Sequence, residues 1–197
     1  MGEYYNWINV NKREYICPAD FGYGNKFCES IHKDSIPLCA LHTLLNDEWK
    51  GDHVLWFGDE CSVFNSHSSN IIRTLYAQSV KFGYPGDAFD MICETYKNVS
   101  GLFKEAEEKT NPFEGLFVKR GRRYKYTINH TKKVYYSLDE TAVLYPDHTR
   151  SDFLDPLPIL MGYGRVTDPG EWIGDIIGVS DQRPKEYELL TELRICN

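Results

Sequence analysis

The stretch YYNWINVNKREY (4–15) is echoed far along the chain by YKYTINHTKKVY (124–135), and this doubled phrase decides the reading of the fold. Tyr4, Ile8, Asn9, Lys12 and Tyr15 correspond to Tyr124, Ile128, Asn129, Lys132 and Tyr135, with Arg13 matched by Lys133 and Asn11 by Thr131. Each copy places strand-favouring residues on either side of a short polar turn in which Asn supplies the turn chemistry, so each predicts a β-hairpin. In the second copy, period-two spacing puts Tyr124, Tyr126 and Ile128 on one strand face.

Two further matches follow in the same order. Pro37-Leu38-x-x-Leu41 corresponds to Pro156-Leu157-x-x-Leu160, and Trp49-x-Gly51-Asp52-x-Val54 to Trp172-x-Gly174-Asp175-x-Ile177. Gly-Asp predicts a tight turn, and the apolar runs His53–Phe57 and Ile176–Val179 that follow predict buried strands. Three collinear blocks argue for internal duplication. The alternative is that hairpins and W-x-G-D turns arose independently as common local solutions.

Between the halves the pattern turns helical. Ser35-Ile36-Pro37 already opens a short helix in the first half, Pro suiting its first turn. Ser69-Asn70 predicts a helix to Lys81 with Ile72, Leu75, Tyr76 and Val80 on one face. After Gly83-Tyr-Pro-Gly86, Asp87 predicts a second helix to about Lys109, striped by Ile92, Tyr96, Val99 and Phe103; the chain then returns to strand near Leu116. The tail 185–195 is undecided between helix and strand. The expected class is α+β: two related β-rich halves, 4–61 and 124–181, with a helical insert over 66–110, in one globular unit spanning 1–197.

The hairpin N-x-[NT]-K-[KR]-x-Y, followed by W-x-G-D and a Gly-Asp strand end, resembles a broad group of functionally uncharacterised bacterial proteins that carry N-H-T-K-K-E-Y segments. The likeness covers Tyr4 to Glu60 best and Tyr124 to Asp181 more weakly, Val134 standing where that group commonly has Glu. The resemblance implies a shared fold and no particular activity.

Composition is that of a soluble globular chain, with 42% apolar and 26% charged residues among 197. No signal peptide or membrane span is evident, which predicts a cytoplasmic protein with no membrane partner. The six cysteines form no C-x-x-C pair and read as reduced and mostly buried. The net charge of −7 disfavours nucleic acid as the main partner. Against that acidity, the segment Lys119–Lys133 concentrates seven basic residues and no acidic one.

That segment supplies the most specific surface signal: Lys119, Arg120, Arg122, Arg123, Tyr124, Lys125, Tyr126, Lys132 and Lys133. Interleaved cations and aromatics bind phosphates by charge and bases by stacking, or meet an acidic protein face; equally, Lys and Arg guard an edge strand against mis-pairing. A second candidate is a divalent-cation site of Asp52, Asp59 and Glu60, since carboxylates at strand ends hold metals or ribose in α/β proteins, although turn chemistry explains the same residues. Cys61 with His53 or His67 would make a nucleophile and base only if folding joined them, and Gly22-Tyr-Gly24-Asn-Lys26 is a weak phosphate-loop candidate beside a plain turn.

The leading expectation is a cytoplasmic, non-catalytic protein-binding module without a cofactor. Its most concrete form is an immunity or inhibitor-type protein that neutralises a basic toxin or effector. The alternatives are a small metal- or nucleotide-binding enzyme built on the Asp59/Glu60 strand end, and a self-associating structural or regulatory module.

Overall fold

The computed structural model describes residues 2–29, 31–33, 35–103, 121–165 and 169–194. Its strands are β1 (Tyr5–Asn9), β2 (Glu14–Ile16), β3 (Val54–Gly58), β4 (Lys97–Asn98), β5 (Tyr126–Asn129), β6 (Val134–Tyr136), β7 (Ala142–Leu144), β8 (Arg150–Ser151), β9 (Gly162–Tyr163), β10 (Ile177–Ser180), β11 (Glu188–Leu189) and β12 (Glu192–Arg194). The α-helices are α1 (Ile36–Asn46), α2 (Asn70–Lys81), α3 (Ala88–Thr95) and α4 (Leu157–Met161). The strands form mixed sheets in the orders β4-β2-β1-β3-β9, β10-β5-β6-β11 and β12-β7-β8, an α+β arrangement. Among the described residues no helix is long and apolar enough to cross a membrane.

Both repeated phrases fold as hairpins, and their turns match bond for bond. Asn9 Oδ1 accepts the Lys12 amide and Asn129 Oδ1 accepts the Lys132 amide, each at 2.9 Å. Arg13 and Lys133 then take the left-handed conformation at φ 55° and 56°, uncommon for side chains of this kind. Each Asn also ties its hairpin to a W-x-G-D turn: Asn9 Nδ2 donates to Asp52 at 2.9 Å, and Asn129 Nδ2 to Asp175 at 2.8 Å. Gly51 and Gly174 sit at φ 82° and 88°, where a side chain would be strained, which is why Gly precedes Asp in both turns. Lys12 and Lys132 reach over to the carbonyls of Glu48 and Glu171. β3 then pairs antiparallel with β1, and β10 with β5.

The two halves cross over each other. Helix α1 packs against β10, and α4 packs against β3. His53 and Ile176, which hold corresponding places in the two motifs, form an antiparallel bridge with one another. β9, from the second half, extends the first sheet by pairing parallel with β3. The largest core cluster therefore draws on both halves: Trp7, Trp49 and Trp56 with Leu38, Leu41 and Leu44 of α1, and Tyr136, Trp172 and Ile177 from the second half.

Strand alternation sends the other face of the first sheet outward. Ile8, Leu55 and Phe57 join Ile72 and Leu75 of α2 and Met91 and Ile92 of α3 in a second cluster. The corresponding face of the second sheet, Tyr126, Ile128 and Tyr135, is covered by Tyr187 and Leu189 of the tail, which is strand rather than helix.

Three expectations need correction. α3 ends at Thr95 because the chain is captured by the edge of β2: the Lys97 and Val99 amides donate to the Arg13 and Tyr15 carbonyls. Strand pairing there overrides the helical stripe, as tertiary contacts commonly override propensity. The insert thus contributes a strand, β4, and a 3-10 helix at Ser100–Phe103 as well as α-helices; residues 104–109 of the expected helix and the strand near Leu116 lie outside the described residues. Val80 is exposed, and the buried face of α2 runs instead through Ile71, Ile72, Leu75 and Ser79.

Candidate functional site

The basic segment is largely committed within the fold. Arg123 turns inward and forms an ion pair with Asp155, which is completely buried. The other Asp155 oxygen accepts the Tyr136 hydroxyl at 2.6 Å and the Leu157 amide at 2.9 Å, so the same carboxylate also satisfies the first amide of α4. Arg123 also contacts Nε2 of buried His42. A guanidinium only donates, so this nitrogen accepts. Burial, reinforced by the neighbouring Arg123, drives the His42 pKa well below its ordinary value and keeps the ring neutral. Burial and then the Asp155 charge push the Tyr136 hydroxyl far above the usual tyrosine range. The pairing is what allows a charge to lie in this interior.

The neighbouring residues are similarly engaged. Tyr126 is buried under the second sheet's outer face, so it forms no part of an open stacking surface as the sequence suggests, and Arg123 keeps only 20% of its side chain exposed. Arg122 forms an ion pair with Asp181, and its guanidinium carbon lies 4.8 Å from the Tyr124 ring centroid. Lys125 is exposed, with its ammonium 5.5 Å from the Tyr126 ring. Lys132 lies 3.6 Å from Asp175, and Lys133 is exposed at the turn. Lys119 and Arg120 lie outside the described residues. What remains open is a cleft of about 480 Å³ edged by Lys33, Arg123, Tyr124, Lys125, Leu138 and Asp139.

The carboxylates proposed for a cation do not converge. Asp52 lies before β3, where it accepts from Asn9 and faces Lys12, whereas Asp59 and Glu60 follow the strand's far end. A five-residue strand between them sets a separation on the order of 20 Å. Asp59 Oδ1 accepts the Tyr4 amide at 2.9 Å, and Glu60 lies 3.3 Å from the Arg165 guanidinium. Among the described residues no group of three or more His, Cys, Asp or Glu is placed to hold a metal ion.

The thiol candidates fare similarly. Cys61 lies 3.1 Å from the Gly58 carbonyl, and burial followed by the Glu3 charge raises its pKa far above the ordinary thiol range, which opposes the thiolate a nucleophile requires. His67 accepts the Ser69 amide at 3.1 Å and meets Tyr163 edge-on, while His53 sits at the bridge between the halves. In the Gly22–Lys26 stretch, Gly22 is the left-handed cap of a short 3-10 helix, which is plain turn chemistry.

Beyond β3 the Val63 amide donates to the Gly86 carbonyl at 3.3 Å, which brings the start of α3, with Asp87 and Asp90, to the loop that follows Asp59. Asp59, Asp87 and Asp90 all act on the Cys93 thiol, which burial first and then Asp90 raise to about 11. Asp59 and Asp87 act on Cys61 as well. Exposed aromatics adjoin this end of the sheet: Tyr4, bonded to Asp59, and Phe64, whose relative exposures are 49% and 57%. Sequence reasoning reached Asp59 but not Asp87, which carried only a capping signal, nor Asp90, which carried none. It also missed the roles of His42 and Asp155, because no spacing rule marks a buried polar residue within an apolar helix or in the loop that leads into one.

No protein-family model matches this chain, no curated protein matches it, and no solved structure matches it.

Proposed function

We propose that this chain is a non-catalytic, cytoplasmic binding module that receives a basic protein partner on the acidic face beyond β3, as an immunity or inhibitor-type protein does. The observation that carries this reading is the division of charge. Arg122, Arg123 and Lys132 of the basic segment lie against the chain's own carboxylates, while Asp59, Asp87 and Asp90 lie around the Cys93 thiol beyond β3, where Tyr4, bonded to Asp59, and Phe64, near Glu60, are exposed. Carboxylates rimming accessible aromatics suit a basic partner, which they would also steer on approach. Nucleic acid is disfavoured by the same charge.

The test is capture of partners from native lysate across a salt series. It compares an Asp59→Asn/Asp87→Asn/Asp90→Asn variant with an Arg122→Glu/Lys125→Glu/Lys133→Glu variant. Asn keeps the capping role of Asp87, so the first variant retains the fold. The expected result is a basic partner released by salt, lost in the Asn variant and retained in the Glu variant. Loss only in the Glu variant would transfer the contact to the basic hairpin and overturn the reading.

We also infer that the two halves arose by internal duplication and sit about a local two-fold axis, in kinship with the bacterial proteins that share the hairpin phrase. The matched turn bonds, the reciprocal helix packing and the bridge between corresponding residues support this. An axis of this kind brings corresponding positions together, as in an isologous dimer.

A further inference from the structure

The cleft beside β5 lies apart from the acidic face and belongs to neither half alone. Its cationic edges come from Lys33, just before α1, and from Arg123 and Lys125, just before β5. Its charges can be paired off. Arg123 is neutralised by Asp155 and Asp181 by Arg122, leaving Lys33 and Lys125 against Asp139. The cleft is therefore net positive in a chain whose net charge is −7.

Arg123 is the fixed point of the cleft. Asp155, His42 and Tyr136 engage its guanidinium from the interior. A guanidinium carries five N–H donors, more than these three partners take up. Its side chain keeps 20% of its surface exposed, and it lines the cleft. A donor whose position is fixed before binding loses little entropy on capture, which is the basis of preorganised anion recognition. The two lysines act as mobile point charges on either side of it. Leu138 and the Tyr124 ring supply apolar wall, and the volume, about 480 Å³, falls within the range of small-molecule sites and exceeds what a bare anion fills.

We propose that this cleft binds a small phosphate monoester, its phosphate held by Arg123, Lys33 and Lys125 and its organic body lying against Leu138 and Tyr124. The site is independent of the acidic face and of any protein partner bound there.

The probes are inorganic phosphate and phenyl phosphate, titrated calorimetrically into the whole chain at constant ionic strength, with chloride as the background anion. Both are expected to bind, phenyl phosphate more tightly. A Lys33→Ala/Lys125→Ala variant leaves the buried Arg123–Asp155 pair intact and is expected to weaken both by at least about tenfold, since charge-assisted bonds are lost. An unchanged melting temperature in the absence of probe would show that this loss is local. Absence of binding by either probe at 10 mM, or undiminished binding by the lysine variant, would overturn the proposal.

Discussion

Compare the three strands β1, β2 and β3 with β5, β6 and β10. In the first set Trp7 and Trp56 lie with ring centroids 4.9 Å apart within the shared core. In the second set Thr127 and Val179 hold the corresponding places, and the volume is taken up by Tyr136, which stands where the first hairpin has Ile16. The first set is covered on its outer face by two helices, the second by a short stretch of tail. Yet the Asn-to-Lys turn, the Asn-to-Asp tie and the left-handed residue are the same in both. The turn geometry is a local requirement that few residues satisfy, whereas a core accepts any residues of suitable volume and polarity. Where the first half places the indoles of Trp7 and Trp56, the second places a phenol beside a buried ion pair.

The strongest way to break this comparison is to remove Asp155, which has no acidic counterpart in the first half. Asp155→Ala leaves the Arg123 charge buried without its partner and should cost about 3–5 kcal/mol in denaturant unfolding. The double variant Asp155→Leu/Arg123→Met should recover much of that loss. If the single variant proved neutral, the second core would not depend on the pair.

Next in size is Trp7→Ala, expected to cost about 3–5 kcal/mol because it opens a cavity among fully buried rings. Thr127→Ala, at the corresponding place, should cost only about 1 kcal/mol, the value of one hydrogen bond. Equal losses in the two unfolding midpoints would remove the contrast. Asn9→Ala and Asn129→Ala should behave alike, each costing roughly 1–3 kcal/mol by orphaning a turn amide and an Asp. A large inequality between these two would mean that matched geometry does not carry matched energy.

A further effect is one of pH. His42 stays neutral in the folded protein because burial and then Arg123 lower its pKa, whereas in the unfolded chain it titrates near the ordinary value of 6.5. Below that pH the unfolded state binds the extra proton, so stability falls as pH falls, by up to about 1.4 kcal/mol per unit until the folded-state pKa is reached. Urea unfolding between pH 7 and 5 should show this slope, and His42→Gln should reduce it. A slope unchanged by the substitution would place the proton uptake elsewhere.

The parts of the fold that were legible are those governed by local chemistry. Asn before a polar turn, Gly before Asp and Pro after Ser announced both hairpins, both W-x-G-D turns and α1 where they are found. The end of α3 was not legible, because it is decided by a distant strand edge. The site was less readable for a related reason. The cations and tyrosines of 122–126 look alike in a string whether they face water or the interior. Their partners, Asp155, His42 and Asp181, come from separate elements. The Asp59–Glu60 strand end is visible in the sequence, whereas only folding brings Asp87 and Asp90 to the cysteine that Asp59 also influences.

The bridge between His53 and Ile176 also bears on the order in which the chain assembles. Each hairpin joins residues only a few positions apart, whereas the bridge links position 53 to position 176. On a logarithmic loop-closure scale, that contact carries an entropic cost about 3 kcal/mol greater than closing a hairpin. The hairpins are therefore the low-contact-order nuclei, able to form within microseconds, and the seam between the halves is a late event that waits for both.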